Sequence, residues 1–201
     1  MKITNVQAVE LKLPQISSAA DGTQDDLIII VETDEGITGY GEVDTAPGVG
    51  KAVVDAYMSH GTCYGLREVV TGSDPFDYEQ IWNDMWAKTY YYGRSGPVMH
   101  VMSGIDMAIW DIMGKACGKP VHKLLGGSYT NKVRAYASAL MPDNKETVKK
   151  MVESYVSQGF TAIKFGWGPL GYDVNFDIEL VKTARQAAGD EVDIMIDIGK
   201  R

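Results

Sequence analysis

Apolar and polar positions along the first part of the chain read as β-strands. From Lys2 to Leu13, Ile3, Val6, Val9, Leu11 and Leu13 are interleaved with polar residues, and Pro14 stops the run. Leu27 to Thr33 (LIIIVET) is β-branched and apolar. Asp34-Glu35-Gly36 reads as a turn, and Ile37 to Val43 (ITGYGEV) returns as the second arm of a hairpin. The intervening stretch PQISSAADGTQDD, Pro14 to Asp26, is small, polar and glycine-containing, the composition of a mobile loop.

The period then lengthens to that of helices. Ser73-Asp74-Pro75 is a start signal, a capping side chain followed by proline in the first turn. The helix it opens carries Ile81, Trp82, Met85 and Trp86 as an apolar stripe. Pro97 opens a second helix, VMHVMSGIDMAIWDIMGKAC, ending near Gly118 with Pro120 beyond. It is apolar on nearly every side and is expected to lie buried between layers. Leu124-Leu125-Gly126-Gly127 reads as a linker turn.

From Val133 strands and helices alternate. Val133 to Ala139, Phe160 to Phe165 and Val192 to Asp197 are strand-like; Lys145 to Ser157 and Phe176 to Ala188 are helical, stopped by Gly159 and Gly189. This βαβαβ order indicates a parallel sheet with a repeat of about 30 residues. A closed (β/α)₈ barrel takes roughly 250 residues, so three strands would be only its beginning. The competing reading is a three-stranded doubly wound sheet. It would leave an uncovered last strand, a poor finished domain.

Composition narrows the function. A hydrophobic fraction of 45% supports a real core. With 27 acidic against 19 basic residues and a net charge of −8, a nucleic-acid or anionic-membrane binder is not expected. A small anionic substrate is compatible, because one lysine and a bound cation reverse the field locally. Cys63 and Cys117 form no metal spacing, and a cytoplasmic protein is the simplest expectation. The N-terminus has a strand pattern, not that of a signal peptide.

The stretches Tyr90 to Gly127 (YYYGRSGPVMHVMSGIDMAIWDIMGKACGKPVHKLLGG), VRAYAS, TAIKFGWGP and IMIDIG resemble the mandelate racemase and muconate lactonizing group of the enolase superfamily. The resemblance covers essentially the whole chain. It implies an α+β capping domain (residues 1–125), a linker (126–132) and, from 133 to 201, the first three strands of a (β/α)₇β TIM-like barrel. It also implies chemistry. Such enzymes remove the proton α to a carboxylate and stabilise the enediolate with Mg²⁺, a hard cation suited to oxygen ligands.

Residue by residue, the resemblance carries Asp197 onto the family's first metal ligand; an aspartate capping the next helix is the alternative. The family's usual Asp-x-Asn is here Asp197-Ile198-Gly199. Lys164 matches the first lysine of a Lys-x-Lys motif, the alternative being a solvated lysine at a strand end. The second lysine, usually a base on one face of the substrate, is replaced by Gly166. Arg94 either orients a substrate carboxylate or bridges the domains, and Trp167 either walls the pocket or packs. His60, His100 and His122 are not at barrel strand ends, and His100 reads as a core histidine. Asp106 and Asp111 read as structural partners on one helix.

The resemblance therefore implies a Mg²⁺-dependent sugar-acid dehydratase, because a glycine at position 166 moves no proton. The rival is a racemase, epimerase or cycloisomerase on the same scaffold. A further alternative is that this chain, with one of three expected carboxylates, is itself non-catalytic. The expected partners are a small carboxylate substrate and further copies of the chain, with no nucleic acid and no membrane.

Overall fold

The computed structural model describes residues 1–16 and 24–198. Most of the Pro14 to Asp26 loop, and Gly199, therefore lie outside the described residues. The chain divides into two compact units, Met1–Tyr129 and Thr130–Arg201.

In the first unit, β1 (Ile3–Lys12), β2 (Asp25–Thr33) and β3 (Thr38–Val43) form an antiparallel sheet in the order β1-β2-β3. β2 is apolar from Leu27 to Val31, and the strand pleat rather than its sequence selects the buried face. Leu27, Ile29 and Val31 of β2 are fully buried, while Ile28 and Ile30 between them are only half-buried. Against that face runs the longest helix, α4 (Pro97–Cys117). Its buried positions Val98, Val101, Met102, Ile105, Ala108, Ile109 and Ile112 follow three- and four-residue spacings.

α4 approaches β3 backbone to backbone. A Cβ added at Gly41 would stand 1.9 Å from the Gly104 carbonyl oxygen, and one at Gly39 would stand 2.0 Å from the Ala108 carbonyl oxygen. From the other side, a Cβ at Gly104 would stand 2.3 Å from the Val43 side chain. All three glycines are required by distance rather than by unusual dihedral angles.

Both free edges of this sheet are closed by side chains, which hides the unpaired groups that invite aggregation. On β3, Asp111 of α4 accepts from the Tyr40 N–H at 3.0 Å, and Lys115 donates to the Thr38 carbonyl at 2.6 Å. The two also pair with each other at 2.7 Å. On β1, Lys51 donates to the Ala8 carbonyl at 3.2 Å and Arg67 to the Val6 carbonyl at 2.6 Å. Asp55 bridges the two cations. Lys51 and Asp55 lie on α1 (Pro47–Asp55) and Arg67 on α2 (Leu66–Val70).

The sequence reading did not anticipate α1 or α2. Neither has a capping side chain at its start, and α1 contains two glycines. Burial of Val53, Val54, Leu66 and Val70 holds them in place. The start signal at Asp74 works as expected. Its carboxylate accepts from the Phe76 N–H at 3.0 Å, opening a 3₁₀ turn that leads into α3 (Tyr78–Lys88). α4 is less enclosed than expected. Ser103 and Met107 are exposed, and so is His100 in its first turn, which is therefore not a core histidine. The short α5 (Val121–Leu124) follows, then Gly126 and Gly127 at φ 104° and 92°.

The second unit is β4 (Ala137–Leu140), α6 (Lys145–Ser157), β5 (Ala162–Gly166), α7 (Val174–Ala188) and β6 (Asp193–Asp197). The sheet is parallel, in the order β4-β5-β6. Asn144 and Asp173 cap the two helices through hydrogen bonds to Thr147 and to Asn175 and Phe176. Val148, Val152, Ile163, Phe165, Leu180 and Ala184 form the core between sheet and helices.

One expected strand is shorter. β4 begins at Ala137, not Val133, because its register sets Ala137 opposite Ile163. Extended backwards, Val133 would fall opposite Gly159, in the turn after α6 at φ 90°, where no strand is available to pair. Val133 is exposed. Arg134 instead clamps the strand starts, donating to the Thr161 hydroxyl and carbonyl at 2.8 and 2.6 Å and to Asp193 at 2.6 Å.

Gly41→Ala should lower the unfolding free energy of the first unit by ~3 kcal/mol, because the methyl group meets backbone rather than a movable side chain. Gly48→Ala in α1 meets only the tip of Glu10 at 3.9 Å and should be neutral or stabilising by up to ~1 kcal/mol. Urea midpoints at unchanged slope distinguish the two.

Candidate functional site

Side chains alternate across a strand, and in β5 and β6 this sorts the candidate site residues from the core. Ile163 and Phe165 point into the helix layer, and Ile194 packs against the same core. Lys164 and Gly166 therefore occupy the opposite face, as does Asp197. The register pairs Lys164 with Met195 and Gly166 with Asp197. Lys164 lies mid-strand rather than at the strand end, and its long side chain reaches forward. Its Nζ stands 2.8 Å from Asp197 Oδ2, with both side chains about one-third exposed. The structure thus brings together two of the four candidate site residues.

Gly166 lies directly beside this pair. A Cβ there would stand 3.0 Å from Asp197 Cβ and 3.1 Å from its carbonyl oxygen. Any side chain at 166 would press on the aspartate, and the glycine leaves that space open. No proton-transferring group occupies the position.

Beyond β5 the chain turns sharply at the C-terminal rim of the sheet. Trp167 has φ 56°, a conformation that costs a side-chain-bearing residue about 1–2 kcal/mol. The turn is held by hydrogen bonds from Met141 N–H to the Gly166 carbonyl at 2.8 Å and from Trp167 N–H to the Asp197 carbonyl at 3.0 Å. Gly168 fits against the Met141 carbonyl, where a Cβ would stand at 2.2 Å. The strain is offset by burying Leu170. The Trp167 side chain remains exposed. Backbone strain concentrated at such a rim is common at functional sites, but the sequence pattern held no sign of it.

Arg94 belongs to the first unit. Its guanidinium lies over the Tyr90 ring at 3.9 Å and the Trp86 ring at 4.5 Å, which holds its loop at φ 86°. Nearby, the Tyr92 hydroxyl donates to the Tyr64 carbonyl. Burial, reinforced by Cys63, pushes the Tyr92 phenol up to about 12. His60 stacks edge-on against Tyr91.

A magnesium site is not assembled from these residues. Among the described residues no group of three or more His, Cys, Asp or Glu side chains converges to hold a metal. Asp197 offers one carboxylate, and Lys164 already occupies one of its oxygens. Mg²⁺ requires near-octahedral oxygen coordination and gives up its waters reluctantly. The donor set present fits one ligand of such a site, not the site.

Partly exposed ion pairs contribute little to stability. Lys164→Met should therefore lower the unfolding free energy by less than ~1 kcal/mol. Phe165→Ala, one residue along on the opposite face, should cost ~3–5 kcal/mol. Comparable losses from both would show that Lys164 belongs to the core.

The chain matches two family models: the mandelate racemase / muconate lactonizing enzyme N-terminal domain over residues 2–126, and the enolase C-terminal domain-like model over residues 146–201. It is 36% identical over 170 residues to the arabinonate dehydratase of Saccharolobus solfataricus, covering 83% of this chain and 43% of that protein. It is 31% identical over 175 residues to the D-galactarolactone cycloisomerase of Agrobacterium fabrum, covering 85% and 43%. Among solved structures, a predicted mandelate racemase from Rhodobacter sphaeroides superposes with TM-score 0.84 at 33% identity, over 98% of this chain and 51% of that one. The chain thus spans about half the length of these relatives. These matches make it a member of the mandelate racemase / muconate lactonizing enzyme family of the enolase superfamily.

Proposed function

We propose that this chain is the N-terminal half of a sugar-acid dehydratase, in which residues 1–125 form the capping domain, 126–132 a linker and 133–201 the start of the β/α barrel. The observation that carries the reading is the Lys164–Asp197 pair at 2.8 Å with Gly166 beside it. A cation and a carboxylate on the face of a parallel sheet away from its helices, near the strand C-terminal ends, occupy the usual place for chemistry in such folds. The similarity to an arabinonate dehydratase supports the substrate class.

In this reading Lys164 engages the substrate carboxylate. Its charge stabilises the negative charge that builds up there as the α-proton leaves. Asp197 is one oxygen ligand of a Mg²⁺ site whose other carboxylates come from the rest of a longer protein. Gly166 supplies no base, so the proton is taken by a group outside this chain. That arrangement favours dehydration from one face over a two-base racemisation. Trp167 walls the site at the rim. The similarity to a cycloisomerase keeps that reaction as the second reading.

The longer protein should convert a polyhydroxy acid to its keto product in a magnesium-dependent reaction. Lys164→Met should reduce kcat/KM about 100-fold or more while leaving the fold intact. Racemisation of a simple 2-hydroxy acid, with no keto product from any sugar acid, would favour the rival. The 201-residue chain by itself should show no turnover and no Mg²⁺ binding tighter than ~1 mM by calorimetry, because one ion-paired carboxylate leaves the ion largely hydrated.

A further inference from the structure

Asp106 departs from its expected structural role. Asp111, on the same helix, accepts from the Tyr40 N–H of β3 and pairs with Lys115, but Asp106 has no hydrogen bond or ion pair among the described residues. It is nevertheless partly buried, and burial pushes its carboxyl above the usual range. A partly desolvated carboxylate with no protein partner is free to complement a cation.

Its surroundings indicate what that would be. Asp106 and Trp110 lie four residues apart on one flank of α4, and Tyr78 and Trp82 lie four apart on α3. The two pairs meet around a cavity of about 450 Å³, completed by Glu79 and Asn83. The Tyr78 and Trp110 rings are 4.9 Å apart and tilted at 48°, so they form an angled wall rather than a closed stack. Among the described residues no lysine or arginine lines the cavity.

We infer that the cavity between α3 and α4 binds an organic monocation, an alkylguanidinium or alkylammonium group, with Asp106 as its counter-charge and Trp82, Trp110 and Tyr78 as its aromatic walls. Ring faces attract such cations, most strongly where water is partly excluded. A sugar acid is disfavoured by Asp106 and Glu79. A hard metal ion is disfavoured because no group of three or more His, Cys, Asp or Glu side chains converges there among the described residues. The head group has two possible sources, a free small amine or guanidine and the basic side chain of a second copy of the chain. This inference does not rest on the proposed activity.

The test is titration of the 201-residue chain with N-butylguanidinium chloride, followed through the indole N–H resonances of its four tryptophans. Saturable shifts at Trp82 and Trp110, without comparable shifts at Trp86 and Trp167, are expected. Urea, the neutral analogue, should produce none. Asp106→Asn preserves shape and should weaken binding at least tenfold, and Trp110→Phe more mildly. Absence of saturation, an equal response to urea, or unchanged affinity in Asp106→Asn would overturn the site. Sedimentation with and without the cation assigns the source. A dimer dissociated both by butylguanidinium and by Asp106→Asn identifies a neighbour's basic side chain, and a monomer that saturates identifies a free cation.

Discussion

The contact on which the first unit depends is the backbone approach of α4 to β3. Gly39 and Gly41 remove side chains from the strand where the helix carbonyls arrive, and Gly104 removes one from the helix. With the axis that close, the apolar stripe from Val98 to Ile112 reaches the buried face of β2, and Asp111 and Lys115 reach the edge of β3. The same placement turns Asp106 and Trp110 toward α3. A bulkier residue at any of the three glycines would move the helix, and with it the core, the sealed edge and the aromatic cavity.

The second unit applies a different constraint, the strict alternation of parallel strands. Ile163 and Phe165 enter the helix-side core, so Lys164 and Gly166 cannot, and register sets Asp197 beside Gly166. Core and candidate site therefore share one strand without competing. The strained turn at Trp167 and Gly168 is the structural cost at the rim. It is held by hydrogen bonds that continue past the strand ends to the Gly166 and Asp197 carbonyls.

Where local pattern and structure differ, long-range packing decides. α1 and α2 lack local start signals and are held by long-range burial and by the Lys51–Asp55–Arg67 network on β1. Val133 is strand-like in type but has no neighbour with which to pair. His100 sits in a helix dense with apolar residues, yet the sheet covers only one side of its first turn. In each case the deciding information lay in residues distant in sequence.

What the sequence by itself determined is what depends on local period and local capping: the hairpin of β2 and β3, the helices opened at Asp74 and Pro97, and the βαβαβ order after the linker. The family resemblance also singled out Lys164 and Asp197 as candidate site residues, and Gly166 where the family usually carries a lysine. Only the tertiary structure decided that Lys164 and Asp197 meet, because a 2.8 Å contact between adjacent strands depends on register, which no single strand encodes. It likewise decided that Asp111 is engaged and Asp106 is not. The two lie on one helix, and their difference arises from what packs alongside each.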